Sequence, residues 1–246
     1  MPAGKLKAED IVLVADPWCP FNCVPGSDYE GYMVDIARSI LEANGHQLTY
    51  GTVNWSRAIR GAQDGVWAGV IGAAANEVPG FVLPRIPLGL VRNVLFSRVD
   101  DPWTFKGEAS LDGKVVATIK GYQYGPNVDG LWRYARADAQ TGKDALRLNF
   151  LKLWAGRVDV VLADESAATY LLKEMAQEGS TEPVRIFRPP WPPQPLYVAF
   201  SPVLSNAQML TDQLDRGMVR LRANGQLQEI RARYGVIDWE RATASR

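Results

Sequence analysis

The sequence predicts an α/β protein built as two lobes, and three observations carry that prediction. Short apolar runs alternate with stretches of helical spacing, the pattern of β-α-β units with parallel strands. The alternation is punctuated at Asp100-Asp101-Pro102 and then starts again, so it describes two units rather than one. Two helical stretches close the chain with no strands of their own to cover, and they pack most simply on the first unit.

In chain order, residues 11–15 form a short apolar run that ends in Asp16-Pro17 and reads as a buried strand. Residues 31–43 carry Met33, Ile36, Ala37, Ile40 and Leu41 at helical spacing, and Asn44-Gly45 closes that helix. A strand over 47–53, a helix over 55–63 and a strand over 67–72 complete a βαβαβ unit that runs into the small residues Gly72 to Asn76. Residues 90–99 read as one longer strand. The second unit has strands at 114–119, 158–163 and 184–187. Its expected helices are one through Val128, Leu131, Trp132 and Ala135, one over 145–154 and one over 167–176. After the proline-dense stretch 189–195, a strand over 196–201 and helices from 205 or 206 to 222 and from 225 to 234 finish the chain. These elements place lobe 1 at 1–96 plus 198–246 and lobe 2 at 97–197. The strands near Val94–Ser97 and Leu196–Ser201 are expected to cross between the lobes as a hinge.

The composition narrows the function. The chain has 246 residues with Lys+Arg 27 against Asp+Glu 27, so no basic field for nucleic acid or for a membrane surface is expected. No apolar run approaches the ~18–20 residues that span a bilayer. One His and two Cys are too few for a His/Cys zinc site, and neither a metal nor a cofactor is expected. Met1-Pro-Ala-Gly-Lys5 shows no signal peptide, which leaves a cytosolic protein or one whose signal has been removed. The 8 Trp are the unusual count, so their positions matter.

Cys19 and Cys23 stand four apart in a proline-rich loop, which is not the C-x-x-C redox spacing. Such a loop can bring two Cα atoms within disulfide reach, about 4.4–6.8 Å. A disulfide or two reduced thiols both fit; a Cys–His pair with His46 fits less well, since His46 follows the turn Asn44-Gly45.

Ligands of open α/β sheets sit at the carboxyl ends of strands. In the first lobe that rule selects Asp16, Trp18 and Trp55, with Ala73, Ala74 and Asn76 after the third strand. In the second it selects Gly121, Tyr122 and Tyr124 of a glycine-flanked turn, then Asp164 and Glu165. Trp18 and Trp55 are either cleft faces or core, whereas Trp132 and Trp154 fit helix faces turned to the core. The turn lacks the G-x-x-x-x-G-K-[ST] pattern, but its amides suit a carboxylate or carbonyl group. Asp164 and Glu165 fit helix capping, an ammonium partner or, least well, acid/base catalysis, for which no second group of matched pKa stands out. The set has the character of a recognition pocket, with no catalytic residue.

The motifs Gly31-Tyr-Met-Val-Asp35, Trp55-Ser-Arg57-Ala-Ile and Leu111-Asp-Gly-Lys114 with the Gly121 turn, followed by Leu153-Trp-Ala-Gly156-Arg-Val-Asp159, Ala163-Asp164 and Tyr197-Val-Ala-Phe-Ser201, resemble in order and spacing the bacterial extracellular solute-binding proteins of family 3. The resemblance covers nearly the whole chain. It implies a two-lobe periplasmic-binding-protein-like (type II) fold and a periplasmic monomer whose signal has been removed. It also implies capture of a small polar or cationic, amino-acid-like solute between the lobes and handover to the permease of an ABC importer. Asp164 is then the ammonium partner, helped by Glu165. Two other classes share the fold, a sensor module and a dehydratase-like enzyme. The sequence departs from the family in one segment: where a Thr-x-x-Arg type stretch usually supplies an Arg for the solute's carboxylate, this chain has Ala73-Ala-Ala-Asn76-Glu-Val-Pro-Gly80.

Overall fold

In chain order the elements are β1 (Asp10–Ala15), α1 (Tyr32–Ala43), β2 (Gln47–Thr52), α2 (Trp55–Gln63), β3 (Gly69–Ala73) and β4 (Gly89–Val91). Then come β5 (Asn93–Arg98), β6 (Val115–Ile119), β7 (Arg136–Gln140), α3 (Ala145–Trp154), β8 (Val160–Asp164), α4 (Glu165–Gln177) and β9 (Val184–Phe187). Strand β10 (Gln194–Phe200) and helices α5 (Ala207–Ala223) and α6 (Gln226–Arg233) close the chain. The structure is a computed structural model that describes residues 9–122, 124–125, 128–142 and 144–236. It divides into one unit of Met1–Leu90 with Pro195–Arg246 and another of Val91–Gln194.

The sheet of the first unit has the order β2-β1-β3-β10-β4. β1 lies parallel to both β2 and β3, and β10 runs antiparallel to β3 with Val198 opposite Ile71. Helix α1 buries Met33, Ile36, Ala37, Ile40 and Leu41, the i, i+3, i+4 face that the sequence spacing anticipates. Helix α5 approaches that face through Gly217, where any Cβ would overlap Ile40.

The sheet of the second unit has the order β7-β6-β8-β5-β9, with β6 parallel to β7 and β8, and β5 antiparallel to β8 and β9. Strand β8 is buried on both faces. Val161 and Ala163 pack with Phe96, Phe150 and Leu153 on one side, and Val160 and Leu162 with Leu111, Val116 and Leu131 on the other. A strand covered on both faces reads as an unbroken apolar run, which is why its position was legible in sequence.

Several sequence expectations differ from the structure. Residues 90–99 are not one strand: β4 belongs to the first sheet and β5 to the second. Between them the N–H of Arg92 is taken by a side chain, the carboxylate of Asp164. Val94–Ser97 therefore does not cross between units; Val94 to Phe96 pair with Ala163 to Val161, and the units divide at Leu90/Val91 and Gln194/Pro195, not at 96/97 and 197/198. The helix expected through Val128 and Ala135 is a 3-10 turn, Asp129–Arg133, followed by β7. A three-residue turn brings Val128 and Leu131 inward and leaves Trp132 37% exposed, outside the core. β7 carries no apolar alternation because it is a largely exposed edge strand.

Candidate functional site

In the first unit the candidate residues lie where β1, β2 and β3 end. Asp16 follows β1, and its carbonyl accepts from Asn22 Nδ2 at 2.6 Å. The loop then folds on itself: the N–H of Trp18 donates to the carbonyl of Asn22 at 2.6 Å, and Trp18's own carbonyl accepts from Phe21 and Asn22 at 2.9 and 3.1 Å. A Cys19–Cys23 disulfide closes this turn with the Cα atoms 4.8 Å apart. Trp18 stacks on Phe21 with ring centroids 4.3 Å apart, and Phe21 is fully buried against Tyr32. The loop also caps α1. Its cap residue Gly31 offers no side chain, and the carbonyls of Pro20 and Phe21 accept from Tyr32 and Met33 at 2.9 and 3.1 Å instead.

Trp55 opens α2 and is half-buried, packed against the cluster that contains Ala73. The carboxylate of Glu77 accepts from the Trp55 side chain and from the N–H of Ala74, the latter at 3.0 Å. Burial holds the Glu77 carboxyl above the usual carboxylate range, and those two hydrogen bonds oppose the shift. Trp55, Ala73, Ala74 and Glu77 thus form one group, while Asn76 is exposed on the intervening 3-10 turn Ala75–Glu77. Glu77 was missed by sequence reasoning, although an acidic residue three positions after Ala74 is the available signal for such a back-bond.

In the second unit the centre is Asp164, the last residue of β8 and the cap of α4. Its Oδ1 accepts from the N–H of Ala167 at 2.8 Å and its Oδ2 from the N–H of Arg92 at 2.8 Å, with a further bond from the Ser166 amide. The side chain is buried, and that burial pushes its carboxyl up to about 7; the three amides oppose the rise and neighbouring Glu165 adds to it. Glu165 Oε1 accepts from Arg188 Nε at 2.8 Å and Nη2 at 2.5 Å. Arg188 follows β9 and was not among the residues that the sequence singled out.

The glycine-flanked turn has Gly121 exposed at φ 86° and Gly125 at φ 88°, where a Cβ would overlap the Gln194 side chain. Gln123 lies outside the described residues. Tyr124 is a packing residue: its hydroxyl accepts from the N–H of Ile119 at 2.8 Å, its carbonyl accepts from Asn93 Nδ2 at 2.9 Å, and burial pushes its phenol up to about 12. Tyr122 lies with its ring centroid 6.5 Å from that of Tyr124.

The profile of the bacterial extracellular solute-binding proteins, family 3, matches residues 11–237. The chain belongs to this family. As a solute-binding protein it shares its two-lobe fold with solved structures of low sequence identity. One is a binding component of an ABC transporter from Wolinella succinogenes complexed with lysine, 19% identical, covering 95% of this chain and 98% of that one at a TM-score of 0.73. Another is an amino acid ABC transporter substrate-binding protein from Streptococcus pneumoniae bound to L-arginine, 17% identical over 90% and 92% at 0.70. A third is an ancestral amino acid-binding protein, a precursor of cyclohexadienyl dehydratase, 15% identical over 92% and 95% at 0.69. At these identities the likeness is one of fold. No curated protein matches the sequence.

Among the described residues of this solute-binding protein, no group of three His, Cys, Asp or Glu is placed to hold a metal ion. No described helix is long and apolar enough to cross a membrane.

Proposed function

We propose that this solute-binding protein is the periplasmic receptor of an ABC importer, a monomer that captures a small polar or cationic, amino-acid-like solute and delivers it to a membrane permease. The observation that carries this reading is Asp164, a buried carboxylate fixed at the carboxyl end of β8 by the amides of Arg92, Ser166 and Ala167. A solute ammonium beside it supplies the opposite charge that favours its ionised form. The neighbours complexed with lysine and arginine support the same class of solute. Trp18, Trp55 and Asp16 are the proposed contacts from the first unit, and Gly121, Tyr122 and Asp164 those from the second.

The reading is of a receptor and not of an enzyme. Glu165, the other carboxylate at this strand end, is engaged by Arg188, and Asp164 is held in place by three backbone amides, which suits a fixed binding group.

Titration calorimetry and thermal shift with amino acids, amines and small organic acids test the proposal. A true solute raises the melting temperature in a dose-dependent way. The expected solute bears a positively charged nitrogen, and Asp164→Asn weakens its binding by at least about tenfold. A response to organic acids alone refutes the role of Asp164, and product formation from a bound solute refutes the non-enzymatic reading.

A further inference from the structure

The geometry of the segment after β3 bears on the solute. Residues 73–80 contain no Lys or Arg, and their one charged side chain is the carboxylate of Glu77. That carboxylate accepts from the N–H of Ala74 at 3.0 Å. A backbone amide has a single proton to donate, so the amide of Ala74 is not available to an anionic group. The same carboxylate accepts from the side chain of Trp55, which fixes the indole beside a negative charge. An indole face attracts cations through its quadrupole, and a carboxylate at its N–H edge adds to that attraction. A solute carboxylate brought to this strand end meets like charge and no free amide at Ala74.

We infer that the first unit reads a positively charged nitrogen at Trp55 and Glu77 and reads no carboxylate, so that the solute is an amine or guanidine without an α-carboxylate. The inference rests on the proposed role as a receptor for a cationic solute and narrows the class. Glu77 acts in it as a positioning residue: its charge sets the preference, and its hydrogen bonds hold Trp55 and Ala74.

The test compares each amino acid with its decarboxylated form on the unaltered chain by titration calorimetry: L-arginine against agmatine, and L-lysine against 1,5-diaminopentane. The expected result is that the amine of at least one pair binds at least about tenfold more tightly than its parent amino acid. In Glu77→Gln the acceptor oxygen for Ala74 is kept and the charge removed, and the ratio of the two affinities is expected to move about tenfold towards the amino acid. Equal weakening of both members in Glu77→Gln marks a purely structural residue and overturns the inference. A parent amino acid that binds more tightly than its amine in the unaltered chain also overturns it, and Arg57→Ala then tests whether that exposed arginine of α2 reads the carboxylate. Binding of organic acids with no binding of amines overturns the inference but leaves solute capture standing. No binding across the whole panel overturns both. Should Glu77→Gln fail to fold, the ratio measured on the unaltered chain still decides.

Discussion

The backbone N–H of Arg92 donates to Oδ2 of Asp164 at 2.8 Å, and the carbonyl of Arg92 accepts from the N–H of Glu165 at 2.9 Å. The residue that separates β4 from β5 is therefore locked to the head of α4. Asp164 serves two purposes with one side chain: it caps the helix through Ala167 and it holds the start of β5. The amides of Ala167, Arg92 and Ser166 use three of the carboxylate's roughly four acceptor sites, so about one remains for a solute nitrogen.

The ionisation of Asp164 predicts opposite pH trends for stability and for binding. Its carboxyl moves from 3.8 up to about 7 through burial, so between those values the folded chain holds a proton that the unfolded chain has released. That contribution to stability is present in full below the unfolded value and is lost as pH rises through about 7. Urea melts of the unliganded protein at pH 5 and pH 8 are expected to show a loss of stability with rising pH that is smaller in Asp164→Asn. Calorimetry is expected to show affinity for a cationic solute rising over the same interval, as the carboxylate ionises.

The Cys19–Cys23 bridge closes a short loop, so its removal is expected to act mostly on the site end of the first unit. The chain-entropy model gives about 2 kcal/mol for a loop of this size. Cys19→Ser with Cys23→Ser is expected to lower the unfolding free energy by about that amount and to weaken solute binding, because Trp18 and the carbonyls that cap α1 lie in the same turn. Denaturant melts and calorimetry measure the two effects. A thiol titration of denatured, unreduced protein is expected to find no free thiol among these cysteines.

Gly31 sits at φ 113°, and a Cβ there would overlap the carbonyl oxygen of Phe21, the group that accepts from Met33 at the start of α1. Gly31→Ala is expected to cost about 3 kcal/mol, from backbone strain and the displaced loop together. Gly113→Ala, at φ 70° with open space around it, is expected to cost only about 1 kcal/mol. Equal costs in thermal or urea melts would show that the contact with Phe21 contributes nothing.

The fold was legible wherever burial imposes a period. Met33, Ile36, Ala37, Ile40 and Leu41 mark the buried face of α1, and the apolar run of β8 marks a strand covered on both sides. It was not legible where a segment is exposed or short: β7 has no buried face to record it, and the 3-10 turn at Asp129–Arg133 has too few residues to show a period. In the candidate site, the capping role of Asp164 was legible because a strand end followed by a helical pattern predicts a cap. Glu77 and Arg188 were not found, because what gives each its place is a partner: Trp55 for one, 22 positions away, and Glu165 for the other, 23 positions away.

By itself the sequence determined the alternation of strands and helices, the division into two units, the acidic residue at the end of β8 and the absence of Lys and Arg from residues 73–80. These are local properties, written in the spacing of apolar residues and in residue types at element ends. Only the tertiary structure decided which sheet β5 joins, and with it where the units divide, because one apolar run serves equally well against either partner. It also decided that the indole of Trp55 is held beside the carboxylate of Glu77. A hydrogen bond depends on where two groups meet in space, and that meeting is set by the packing of β3 and α2, which no spacing along the chain records.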